Sequence, residues 1–164
     1  MREILASLLL LLSLTIPTCA QQATASLDST TIAENRELDR LLLEAHAQRN
    51  VDKVMDLFVK SPDTFLIAPN GNLAMGWDKI RDSYADFFAG LESISAEVKD
   101  VKYLRARGGI IAVGTVVFHR KDKNAPARDR TVVWTDFRRK EGGKWKYVFR
   151  HAHWPLQPPP AAAP

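Results

Sequence analysis

The residues best suited to chemistry lie near the end of the chain. In an extended segment from Lys144 to Trp154, Trp145, Tyr147, Phe149, His151 and His153 fall on one side. Lys146, Val148, Arg150, Ala152 and Trp154 fall on the other. One face is therefore aromatic and ends in two imidazoles. Turned toward a concavity, it would supply an apolar body with a titratable rim, the usual make-up of a small-molecule pocket.

Asp136 is a further candidate because it interrupts the otherwise apolar stretch Val132 to Phe137. It is either the carboxylate partner of a pocket imidazole or an exposed residue of the convex face, and strand register decides. A two-residue Glu141-Gly142 loop puts Trp134 and Asp136 on the face shared with Tyr147 and Phe149. A three-residue loop with a bulge puts Thr131, Val133, Thr135 and Phe137 there instead. His119 is the remaining polar candidate. The alternating pair His151 and His153 could reach one metal ion, but a site needs a third and usually a fourth ligand. His46 and His119 have no spacing that recruits them, so no metal is expected. The chain also lacks a nucleophile elbow, a phosphate-cradling glycine loop and a dinucleotide fingerprint, and no cofactor is expected.

Several elements must position these residues. Leu38, Leu41, Leu42, Ala45 and Ala47 follow helical spacing, and Val54, Met55 and Phe58 repeat it after a junction at Asn50-Val51-Asp52. Ser61-Pro62-Asp63 stops the second helix. Thr64 to Ala68 and Asn72 to Gly76 read as short strands about a Pro69-Asn70-Gly71 turn. Trp77, Ile80, Tyr84, Phe87 and Phe88 recur at helical spacing, and Trp77 and Tyr84 could border a cavity. Four long strand segments follow: Ser93 to Ala106, Ile110 to Arg120, Arg128 to Lys140 and Lys144 to Trp154. Short connections make them an antiparallel meander. Helices grouped before such a sheet argue an α+β fold.

The ends of the chain differ in kind. Arg2, the uncharged run Ile4 to Ile16 and Thr18-Cys19-Ala20 have the order of a cleavable signal peptide, residues 1–20, with the cut after Ala20. The protein is then secreted or periplasmic, has no membrane association after cleavage and retains no cysteine. An acylated Cys19 fits less well, since Thr18 and Pro17 precede it. Residues 21–31 read as a flexible linker, 32–154 as one folded domain, and the Pro/Ala-rich 155–164 as a disordered tail. A net charge of +4 with acids and bases interleaved gives no aromatic-studded basic stripe, so no nucleic-acid partner is expected.

In element order the domain resembles the nuclear transport factor 2-like (NTF2-like) superfamily, with its SnoaL-like cyclases, ketosteroid isomerases and calmodulin-dependent kinase association domains. Three stretches carry the resemblance. Arg49-Asn50-Val51-Asp52-Lys53-Val54-Met55-Asp56-Leu57-Phe58 looks like the helix junction. Gly76-Trp77-Asp78-Lys79-Ile80-Arg81 looks like the start of the third helix. Gly143-Lys144-Trp145-Lys146-Tyr147-Val148, followed by His151, looks like the last hairpin. The resemblance implies a cone-shaped fold, a curved antiparallel sheet packed on three N-terminal helices. It also implies an apolar pocket at the wide end and a homodimer formed through the convex sheet face, where Val148, Ala152 and Trp154 would lie.

Carried over residue by residue, the cyclase pattern sets His153 where an acid/base Asp stands, two residues after His151; Asp136, if its register turns it inward, would be the orienter. An imidazole can serve as that proton shuttle. Trp77, Tyr84, Trp134, Tyr147 and Phe149 would line the pocket. The isomerase pattern is not met: Ala68 stands where its Asp would be and Leu42 where its Tyr would be. The expected function is an exported domain binding a small, partly apolar ligand. The alternative is a cofactor-independent cyclase or isomerase using His153.

Overall fold

The computed structural model describes residues 26–155. The expected signal segment, the first residues of the expected linker and the tail beyond Pro155 lie outside them. Helix α1 (Ser29–Ala47) begins where Asp28 caps it, its carboxylate accepting from the Thr31 backbone N–H at 2.7 Å and hydroxyl at 2.9 Å. Ser29 to Thr31, read as linker, are thus its first turn. Arg49 (φ 50°) reverses the chain, and Asn50 caps α2 (Val51–Met55) by accepting from Lys53 N–H at 3.0 Å. Strands β1 (Phe65–Ile67) and β2 (Leu73–Met75) flank the expected turn. Gly71 there takes φ 85°, a left-handed conformation that costs glycine little. Helix α3 (Trp77–Ala89) follows and buries Ile80, Tyr84 and Phe88.

The remaining chain is β3 (Leu91–Ala106), β4 (Gly109–Asp122), β5 (Arg128–Glu141) and β6 (Lys144–His153). One six-stranded sheet results, in the order β2-β1-β6-β5-β4-β3. The four long strands are antiparallel neighbours as expected, while β1 joins β6 in parallel, Phe65 opposite Phe149 and Ile67 opposite His151. The core gathers Leu38, Leu42, Val54, Ile80, Leu91 and Tyr147 from helices and sheet. Each fully buried side chain of this size is worth about 1.5–3 kcal/mol.

Three register shifts interrupt the sheet, and one of them decides what the cavity contains. Two lie in β3, between Leu91 and Ser93 and between Val98 and Asp100. The third follows from the last hairpin. Glu141 pairs with Lys144, so the turn is the two-residue Gly142-Gly143, both at positive φ. Pairing then runs in step to Arg138 opposite Tyr147, but Phe137 stands opposite Phe149. Val148 is one residue too many for its partner strand, and beyond it the two faces of β6 exchange.

Candidate functional site

Before the bulge Tyr147 faces inward beside Arg138; after it the inward residues are Arg150, Ala152 and Trp154. Phe149 is on the outer face, stacked between Phe65 and Phe137 at ring distances of 5.0 and 6.1 Å. His151 and His153 share that outer face, their rings 5.8 Å apart, with Thr135 and Val133 opposite them. The expected single face of Tyr147, Phe149, His151 and His153 is therefore split, and the expected outward pair Ala152 and Trp154 lines the cavity. Asp136 lies inward opposite Arg150, on the Tyr147 side but not the Phe149 side. Neither register open to the sequence is the one formed: the Gly142-Gly143 turn puts Trp134 and Asp136 on the Tyr147 face, and the bulge puts Val133, Thr135 and Phe137 on the Phe149 face.

The cavity measures about 490 Å³ and opens between the sheet, α1, α3 and the β1–β2 turn. Its apolar walls come from Leu42 and Leu43 of α1, Leu66 of β1, Phe87 of α3, and Val116, Phe118 and Val132 of the sheet. Trp134 and Tyr84 line it, as expected. Trp77 is placed elsewhere: its indole N–H donates to the Met55 carbonyl at 3.3 Å, and Lys60 and Arg81 cover its ring. Leu42 and Ala68, the positions matched to the isomerase Tyr and Asp, both face the cavity as apolar groups.

Four charged residues and two tyrosines form the polar end. The Arg138 guanidinium, fully buried, reaches Asp39 with Nη2 at 2.5 Å and Nη1 at 3.3 Å. It also donates to the Asn35 carbonyl at 3.1 Å and to Asp136 Oδ2 at 3.1 Å. Tyr103 and Tyr147 donate their hydroxyls to Asp39 at 2.7 and 3.2 Å. Arg150 approaches Asp136 Oδ1 with Nε at 3.2 Å and lies over the rings of Tyr147 (4.8 Å) and Trp134 (5.6 Å). Burial, only partly offset by Arg150 and Arg138, raises the Asp136 pKa. Burial works against the Arg150 charge, yet Asp136 beside it leaves the pKa above its ordinary value.

His46 supplies a different group. Its Nδ1–H donates to the Leu42 carbonyl at 2.8 Å, and its ring packs edge-on against Tyr84 and Phe88. Burial lowers its pKa to about 4, so the imidazole is neutral at physiological pH with the lone pair on Nε2. At the mouth stand Arg120, ion-paired to Asp122, Arg130, stacked 5.6 Å over Trp154, and the acidic Asp86. Among the described residues no group of three His, Cys, Asp or Glu is arranged to hold a metal.

Asp39, His46, Arg138 and Arg150 were not among the residues expected at the site. A signal for the first two exists: Asn35, Asp39, Leu42 and His46 recur at helical spacing on the stripe that carries Leu38, Leu42 and Ala45. Arg138 is two residues from Asp136 and shares its face.

Among curated proteins none matches the chain. Solved structures do. An NTF2-like superfamily protein of Salmonella enterica serovar Typhimurium superposes with a TM-score of 0.74 at 18% identity, over 83% of this chain and 99% of that one. A protein of Streptomyces avermitilis assigned as an NTF2-like dehydratase gives 0.72 at 18% identity, over 79% and 100%. A type 2 hexachlorocyclohexane dehydrochlorinase gives 0.68 at 11% identity, over 82% and 94%. At these identities the likeness is one of fold. The match to the SnoaL-like domain spans residues 36–157, helices and sheet together, and the chain belongs to that family.

Proposed function

We propose that this domain is an exported small-molecule binding protein whose cavity takes a compact, partly apolar ligand. The observation that carries this reading is the cavity itself: about 490 Å³ walled by aliphatic and aromatic side chains, with Asp39 and Arg150 at its inner end and Asp86, Arg120 and Arg130 at its mouth. That size and division of labour are typical of ligand sites. Trp134 and Trp154 both line it, so ligand entry should change tryptophan emission. Titration with small apolar compounds, read by fluorescence and thermal shift, tests the reading. Unchanged emission and Tm across aromatic and aliphatic probes at millimolar concentration would sink it.

A second reading is cofactor-free proton transfer of the isomerase or elimination type. His46 favours it, a neutral imidazole in the cavity wall whose Nε2 can accept a proton, with Arg150 available to a developing oxyanion. Dehydratase and dehydrochlorinase are activities named for two of the structural neighbours. His153 and His151, on the outer face, are not positioned for that role from within one cavity. Deuterium exchange at the carbon next to a bound ketone, lost in His46→Gln with affinity kept, would favour this reading.

We also infer a homodimer built on the outer sheet face. Phe149, Phe137, Ile111 and Val113 lie there only partly buried, with Leu104 53% exposed at one edge. An apolar face of this kind is a common self-association surface.

A further inference from the structure

Among the described residues, three buried side-chain polar atoms lack a hydrogen-bond partner: Asp136 Oδ1, Arg138 Nε and Arg150 Nη1. All three belong to the polar end of the cavity. Native proteins leave few such atoms, and each calls for an explanation. Neither Arg138 nor Asp136 lines the cavity. Arg150 does line it, with 12% of its side chain exposed, so its guanidinium is the one of this cluster that a ligand can reach.

The charges around Arg150 are unevenly shared. Asp39 is taken up by Arg138 and by the hydroxyls of Tyr103 and Tyr147. Asp136 is divided between Arg138 and Arg150. Arg150 thus has part of one counter-ion at its Nε end and no hydrogen-bond partner at Nη1. A guanidinium out of water favours an anionic acceptor over a neutral one, because charge-assisted hydrogen bonds are the stronger kind. At the other end of the cavity Arg120 is ion-paired to Asp122, which leaves Arg130 against Asp86 among the lining residues.

We infer that the ligand of this cavity is an apolar monocarboxylate, its carboxylate accepting from the Arg150 guanidinium and its hydrocarbon body lying against Trp134, Val116 and Phe118. This rests on the cavity being a ligand site. The size of the space, about 490 Å³, suits an aromatic or alicyclic acid of moderate size.

The test compares 2-naphthoate with 2-naphthamide, which has nearly the same shape without the charge, by calorimetry on the full chain. Variants are Arg150→Lys, Arg150→Met, the charge-balanced pair Arg150→Met with Asp136→Asn, and Arg130→Gln. The acid should bind the wild type about tenfold or more tightly than the amide, the scale of one charge-assisted hydrogen bond. Arg150→Met should erase that preference, as should the balanced pair, which keeps the result readable where the single variant does not fold. Arg150→Lys should retain part of it. Equal binding of acid and amide by the wild type would overturn the carboxylate while leaving the cavity reading intact. Preference lost in Arg130→Gln but kept in Arg150→Met would put the anion at the mouth and overturn it too. Binding of neither probe would remove the cavity reading and this inference together.

Discussion

Replacing Arg138 with Met is the sharpest test of the buried charge network. The guanidinium is fully buried, its direct hydrogen bonds join α1 to β5, and it lies over the rings of Tyr103, Trp134 and Tyr147 at 5.0–5.5 Å. Met restores much of the volume and none of the charge. Asp39 keeps two tyrosine hydroxyls, but Asp136 keeps only Arg150. Removing one member of a buried ion pair costs about 3–5 kcal/mol. That is a large share of the roughly 5–15 kcal/mol that holds a domain together. For a domain of this size the melting temperature should fall by about 10–20 °C.

The assay is urea unfolding of wild type, Arg138→Met and Arg138→Met with Asp136→Asn. The double variant should recover part of the loss, because the stranded carboxylate is then neutral. The single variant's deficit should shrink on acidification. Asp136, with its folded pKa raised further, binds a proton more readily in the fold than in the unfolded chain. The stability this confers is full below the unfolded pKa and disappears as pH rises through the folded one. A loss under about 1 kcal/mol, or a double variant worse than the single, would refute the view that Arg138 neutralises the core.

Other consequences can be checked together. His46, depressed to about 4 from 6.5, stabilises the fold above pH 6.5, and that contribution is lost as pH falls toward 4. The change is about 3 kcal/mol, and urea midpoints measured across this window should flatten in His46→Phe. Gly114→Ala should cost about 1–3 kcal/mol and shift tryptophan emission, since its Cβ would meet Trp134 Cζ2 at 2.7 Å and the Asp100 carbonyl at 2.5 Å. Leu104→Glu on the outer face should shift the sedimentation profile from dimer to monomer; a wild type that sediments as a monomer at high concentration would end the dimer proposal. His151→Ala with His153→Ala should leave the affinity for cavity ligands within about twofold, as isolated surface changes usually do, measured by the same calorimetry.

Element order was legible because periodicity and turn chemistry are local. The helical spacing of Leu38 to Ala47, the Pro69-Asn70-Gly71 turn and the alternation within each long strand can be read without tertiary knowledge. The face of β6 could not be read this way. Val148 is an ordinary strand residue, and nothing in its identity announces that its partner strand is one residue shorter there. Strict alternation from Trp145 onward therefore carried Phe149, His151 and His153 to the Tyr147 side. Arg138 and Arg150 were missed for another reason: charged residues in a strand usually face water, and only a buried carboxylate on another element makes the opposite arrangement tolerable. Here that partner, Asp39, is 99 positions from Arg138.

The bulge at Val148 also has a bearing on how this scaffold can diversify. Closing the bulge, so that Val148 pairs opposite Phe137, would leave the chemistry of every side chain untouched and shift the far half of β6 by one place. Phe149, His151 and His153 would then present themselves inside, and Arg150, Ala152 and Trp154 outside. A site built around a guanidinium would become one built around imidazoles with no substitution at all. Ligand preference here is encoded partly in strand register, in whether one residue is paired or left out of the ladder.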